Sequence, residues 1–294
     1  MLGEVLTASV TPFDSDGAVN LPKFRELASF LVDNGSDGLV VTGTTGESPT
    51  LTDDERFTLY DAAVETIGDR ATVVAGTGTY DTRHSVHLTQ KAHEVGVDGF
   101  LVVTPYYNKP PPRGIVEHVK AIAAVTDKPI VYYNIPARVV NLVEVETLAE
   151  LAEIPNVVAV KQAWDDLEQA RRIVDETGLA LYAGDDNLIL PFLRVGATGG
   201  VCVHTHVVGP QVKEQVTRFK AGDAEAADRI DEELQPAYEI LRVTVGPIGI
   251  KAALNLLGHG VGALRLPLVE ATEDEQATIR GCLERLGALV ATPA

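Results

Sequence analysis

Two hydrophobic rhythms alternate along this chain. Short apolar runs rich in Val and Ile recur about every 25 to 30 residues, as strands do when helices separate them. They lie at Thr7–Val10, Gly38–Gly43, Thr72–Thr77, Gly99–Thr104, Ile130–Asn134, Val157–Lys161, Leu179–Ala183 and Gly200–Val203, eight in all. Between them stand segments of helical periodicity, among them LPKFRELASFLVDNG, DDERFTLYDAAVETIG and RHSVHLTQKAHEVG. Several close on a glycine (Gly35, Gly68, Gly96, Gly178), the residue that helix C-termini favour. Near-continuous apolar strands alternating with helices predict a parallel sheet covered on both faces. Eight such units predict a closed (β/α)8 barrel, whereas an open doubly wound sheet more often stops at about five or six strands. No GxGxxG follows the first run, which argues against a dinucleotide-binding sheet.

After about residue 208 the strand rhythm stops. QVKEQVTRFKAGDAEAADRIDEELQPAYEILRV and EDEQATIRGCLERLGALVA read as amphipathic helices. The predicted organisation is an α/β chain: a (β/α)8 TIM barrel over residues 1–224, and a C-terminal helical appendage over 225–294 packed against it.

In a barrel of this kind, chemistry belongs to the C-terminal strand ends and the loops that follow. Read only there, the chain offers GTTGES (Gly43–Ser48), GTGTYD, TPYYNKP, VYYNIPAR, VVAVKQA and YAGDD. Lys161 is the sharpest of these positions, because four apolar residues run straight into it. Burial disfavours the charged amine and lowers its pKa. At pH 7 an amine of pKa about 10.4 is only about 0.04% neutral, whereas one of pKa about 8 is about 9% neutral. Only the neutral amine attacks a carbonyl, so a buried lysine in a barrel mouth reads as a Schiff-base nucleophile. The competing reading is a lysine that snorkels from the strand end to water.

Tyr133 ends the preceding strand segment, and its phenol either shuttles protons as a carbinolamine loses water or merely fills the barrel with its ring. The GTTGES glycines allow close backbone approach to a ligand, with Thr44 and Thr45 supplying hydroxyl and N–H groups to a carboxylate or a proton relay. The stretch lacks the spacing and the lysine of a phosphate loop. Arg138 is either a guanidinium fork for a carboxylate or a surface arginine. Asp165 and Asp166 read as the start of the next helix, not as counter-ions of Lys161.

Composition narrows the functional classes further. The 294 residues are 45% hydrophobic and 22% charged, as in soluble globular proteins, and the formal net charge is −18. That acidity argues against a nucleic-acid partner, which needs a basic stripe, but not against a small anion held in a pocket. Cys202 and Cys282 lie far apart without a CxxC, which suggests a reducing cytoplasm. The first residues have no basic n-region or long apolar core, and no run is long enough to span a membrane, so neither a signal peptide nor a membrane segment is expected. His204 and His206 have strand i, i+2 spacing but no third ligand beside them, so no metal site is expected there.

Taken together, GTTGES, TPYYNKP, YYNIPAR, VVAVKQA and the late GIKAALNLLG resemble the dihydrodipicolinate synthase / N-acetylneuraminate lyase superfamily of Schiff-base barrels, in order and over nearly the whole chain. Within it the pattern is most similar to the dihydrodipicolinate synthase branch. The resemblance implies condensation of pyruvate with L-aspartate 4-semialdehyde to 4-hydroxy-tetrahydrodipicolinate, on the way to diaminopimelate and lysine. It implies that Lys161 forms the imine, and that Tyr133, Thr44 and Tyr107 relay protons, Tyr107 arriving from a neighbouring subunit. Thr45 and the backbone at Val201 hold the pyruvyl group, and Arg138 binds the acceptor's carboxylate. No cofactor or metal is implied, and the expected assembly is a homo-oligomer, a tetramer built from dimers. Alternatives left open are another pyruvate-dependent aldolase acting on sialic or 2-keto-3-deoxy sugar acids, and a non-catalytic barrel that binds a keto acid. Lysine-inhibited relatives carry an interface site to which Ser48 and Tyr106 correspond, but Pro49, Asp53, Arg56, Tyr80 and His84 depart from it. Weak or absent inhibition by lysine is therefore expected.

Overall fold

The computed structural model describes residues 2–289. Eight strands close a parallel barrel in sequence order: β1 (Val5–Ala8), β2 (Gly38–Val41), β3 (Thr72–Gly76), β4 (Gly99–Val103), β5 (Ile130–Asn134), β6 (Val157–Gln162), β7 (Ala180–Ala183) and β8 (Gly199–Cys202). All eight predicted runs are strands. The largest shift is in β1, which begins and ends two residues earlier than the apolar rhythm suggested. Beyond Ala8 the chain leaves the ladder, where the Val10 N–H donates to His206 Nε2 (3.2 Å) and Thr11 donates to the Gly46 carbonyl (2.7 Å).

Around the barrel run α1 (Leu21–Asp33), α2 (Asp53–Ile67), α3 (Thr82–Val95), α4 (Pro112–Ala123), the single turn α5 (Pro136–Val139), α6 (Val145–Ala152), α7 (Leu167–Thr177), α8 (Ile189–Leu193) and α9 (Thr205–Lys220). Local sequence fixes their ends. A capping box between Thr52 and Glu55 starts α2, and left-handed glycines at Gly96 and Gly178 stop α3 and α7. The first predicted C-terminal helical segment divides into the greater part of α9, which is kinked near its start at Val208, then α10 (Ala224–Glu233) and α11 (Gln235–Val243). Then follow α12 (Gly246–Leu256), which holds the GIKAALNL motif, and α13 (Glu273–Arg285). The end of the second predicted segment, Val290 and Ala291, lies outside the described residues. No helix among the described residues is long and apolar enough to cross a membrane.

Strand alternation sorts the core into two compartments. Outward residues such as Leu39, Val73, Phe100, Tyr132, Val160 and Leu181 pack beneath the helices. Inward residues, including Leu6, Val40, Val74, Leu101, Val131, Tyr133, Ala159, Tyr182 and Val201, fill the barrel in stacked layers. The closure of β8 on β1 requires backbone contact, since a Cβ on Gly199 would lie 1.9 Å from the Glu4 carbonyl oxygen. This alternation decides where Lys161 points: Ala159 faces inward, Val160 outward, and Lys161 inward again at the upper end of β6.

Candidate active site

At the C-terminal end of the barrel is a cavity of about 170 Å³, room for a small acid. Its floor is Ala8, Val40 and Leu101, and its walls carry Thr44, Thr45, Tyr133, Arg138, Lys161, Asp185 and Asp186. Five of the seven residues expected to form a site are thus brought together. The other two are not. Tyr107 stands on the outside, 91% exposed, and Val201 lies within the barrel packing, with Val203 lining the cavity instead.

Lys161 and Tyr133 are register partners on neighbouring strands. The Lys161 ammonium position is 4.2 Å from the centre of the Tyr133 ring, and both side chains are about 95% buried. Burial brings the Lys161 pKa down to about 8, against the pull of the Asp186 and Asp185 carboxylates, which favour its charged form. Neither carboxylate lies within ion-pair distance of it. Asp166 accepts from the Gln169 N–H (2.9 Å) and caps α7, the helix-start role expected for it. The Tyr133 hydroxyl is pushed up by burial and by the nearby Asp185.

Asp185 and Asp186 are the functional candidates that the sequence reading passed over, although YAGDD ends a strand. They differ in environment. Burial raises the Asp185 carboxyl above its ordinary value. Burial also opposes ionisation of Asp186, but His204 and the Val203 and His204 N–H groups (2.7 Å each) outweigh it and hold its pKa low. Asp186 is thereby fastened to the end of β8, and His204 is its partner rather than a strand residue with metal-ligand spacing. The strand ends at Cys202, and both histidines belong to the start of α9. His206 accepts from Val10 N–H and donates from Nδ1 to the Val203 carbonyl (2.7 Å), and burial lowers its pKa to about 4, so it is neutral. Among the described residues no group of three or more His, Cys, Asp or Glu side chains is placed to hold a metal ion.

The GTTGES stretch is a tight turn. Gly46 and Ser48 N–H both donate to the Gly43 carbonyl, and Glu47 N–H donates to that of Thr44 (3.1 Å). The turn projects Thr44 and Thr45 into the cavity and leaves Glu47 in a left-handed conformation with φ 57°. Arg138, on the one-turn α5, borders the mouth and is exposed. Leu241, Gly246 and Pro247, around the junction of α11 and α12, close the remaining side, so the C-terminal helices contribute to the cavity.

The profile of the dihydrodipicolinate synthetase family matches residues 1–286 of the chain. A 4-hydroxy-tetrahydrodipicolinate synthase of Moorella thermoacetica is 46% identical over 98% of this chain and 99% of its own. The crystal structure of a dihydrodipicolinate synthase from Cyanidioschyzon merolae with lysine bound is 42% identical, covers 98% of this chain and 99% of its own, and superposes with a TM-score of 0.96. A dihydrodipicolinate synthase from Bacillus anthracis, also 42% identical, covers 97% and 98% with a TM-score of 0.94. On fold, motif order and full-length similarity alike, the chain belongs to the dihydrodipicolinate synthetase family.

Proposed function

We propose that this chain is a 4-hydroxy-tetrahydrodipicolinate synthase, joining pyruvate to L-aspartate 4-semialdehyde through a Schiff base on Lys161. The observation that carries the reading is a buried lysine, with no carboxylate at ion-pair distance among the described residues, facing a tyrosine in a small cavity. With its pKa at about 8, roughly a tenth of Lys161 is neutral at pH 7, enough to attack the pyruvate carbonyl. The carbinolamine then loses water, which needs a proton delivered to the leaving hydroxyl. In this reading Tyr133, held in its phenol form by burial, gives it, with Thr44 beside the same cavity.

The resulting imine draws electrons from the methyl carbon, which loses a proton and becomes an enamine. This carbon attacks the semialdehyde's aldehyde, forming the new carbon–carbon bond, and the acceptor's amine displaces Lys161 as the ring closes. Thr45 holds the pyruvyl carboxylate, and Arg138 at the mouth offers two parallel N–H groups to the acceptor's carboxylate. Every step is acid–base or nucleophilic chemistry available to side chains. Tyr107 is too exposed to serve its own cavity, and a second copy of the chain would bring it to a neighbouring site. The active form in this reading is an oligomer built from dimers, working in the cytoplasm.

Borohydride reduction in the presence of pyruvate tests the central step. A stable mass increase on Lys161 is expected, together with turnover of aspartate semialdehyde. No adduct, or turnover of keto-deoxy sugar acids in place of the semialdehyde, would overturn the reading.

A further inference from the structure

A second lysine is buried in this protein, 90 positions beyond the first. Lys251, on α12, is fully buried with its ammonium 2.6 Å from Glu47 Oε1, which is equally buried. The two opposite charges are thus in direct contact away from water. Lys251 also donates to the Ala263 carbonyl (2.8 Å). The other Glu47 oxygen accepts from the Arg265 N–H (2.9 Å). Phe13 lies under both cations, 4.2 Å from Lys251 Nζ and 4.4 Å from the Arg265 guanidinium. Gly262 carries the connecting strap so close to the barrel that a Cβ there would lie 1.9 Å from the Phe13 carbonyl oxygen.

Glu47 belongs to the same turn as Thr44 and Thr45 and donates its N–H to the Thr44 carbonyl. Its left-handed backbone is uncommon for a residue other than glycine and persists only where surroundings enforce it. The first turn of α12, at Gly246 and Pro247, lines the cavity from the opposite side. One helix therefore borders the cavity and also grips the turn that supplies its two threonines. We propose that Glu47 and Lys251 are positioning residues, a buried ion pair through which α12 sets where Thr44 and Thr45 meet the pyruvyl group. The proposal rests on the reading of Lys161 as the nucleophile toward pyruvate.

Two full-length variants test it. Glu47→Asp keeps both charges but withdraws the carboxylate by one methylene. Glu47→Gln combined with Lys251→Met removes the pair whole, so that no buried charge is left alone. For variants that remain folded by circular dichroism at the assay temperature, kcat/KM for pyruvate is expected to fall at least about tenfold, since small misplacements of binding groups are costly. The pyruvate concentration giving half-maximal borohydride labelling of Lys161 should rise in parallel, while the pH at which labelling half-develops should stay put. Folded variants with wild-type constants for both substrates would overturn the proposal, as would loss of folding in both, which would make the pair a stability element. If the wild type takes no pyruvate adduct, the reading of Lys161 fails. A labelled wild type with unaffected variants defeats the positioning role alone.

Discussion

Lys161 sits where folding and chemistry pull in opposite directions. Its pKa in the folded chain, about 8, lies below the ordinary value of 10.5, so below pH 8 the protein buries an ammonium that the unfolded chain would hydrate. The linkage has a definite sign. Between about pH 8 and 10.5 the unfolded state binds more protons, so this residue's penalty is full below 8 and disappears as pH rises through that window. The penalty near neutrality is about 3 kcal/mol. Lys161→Met should therefore raise the melting temperature at pH 7 by a few degrees while nearly abolishing turnover; a lower melting temperature would show that packing, not desolvation, dominates there. For the wild type, kcat/KM for pyruvate should climb with pH and level off above about 8, following the neutral amine. Tyr133→Phe should lose about 10²- to 10⁴-fold in kcat, the usual contribution of a proton-transfer group, yet still accept a trapped pyruvate slowly. Wild-type rates in that variant would remove the phenol from the relay.

Strands and helices show why some of this site could be read from the sequence and some could not. A strand's two-residue period and its position before a loop are local properties, so VVAVKQA and VYYNIPAR announced an inward Lys161 and Tyr133 at the mouth. Contacts made by closure of the barrel and docking of the tail are not local. Glu47 and Lys251 meet across 204 positions, and nothing near either residue announces the other. His204 and His206 looked like strand residues because the chain enters α9 directly from β8 without a turn signal. Asp185 and Asp186 follow β7 as plainly as Lys161 stands at the end of β6, but their unequal charge environments depend on His204 and on two backbone amides that only the fold brings up. The helix-start reading of Asp166 can be separated from a counter-ion role. Asp166→Ala should cost about 1 kcal/mol through loss of the α7 cap and leave the pH midpoint of Lys161 labelling unchanged. A downward shift of that midpoint would mean that Asp166 helps hold the proton on Lys161.

At the scale of the whole molecule, the face carrying Tyr106 and Tyr107 is the one most at odds with a solitary chain. Tyr107 is almost fully exposed in a left-handed conformation (φ 68°), beside Tyr106, whose ring meets Tyr80 edge-on at 5.3 Å. The same face corresponds to the lysine site expected in inhibited relatives, and here its chemistry is already committed. The Asp53 carboxylate is taken up by His84 Nε2 (2.9 Å). Arg56 donates to the Ser48 carbonyl (2.6 Å) and leaves its buried Nε without a hydrogen-bond partner among the described residues. A lysine entering here would bring an ammonium toward a buried guanidinium, and the Asp53 carboxylate would first have to release His84 before it could pair with that ammonium. Like charges in a partly desolvated site repel more strongly than in water, so the cost falls on binding itself. Initial rates measured with increasing L-lysine at subsaturating pyruvate should therefore stay flat through the sub-millimolar range. Half-inhibition below about 1 mM, a binding free energy of roughly −4 kcal/mol, would show that Arg56 and the Asp53–His84 pair rearrange to admit the amino acid.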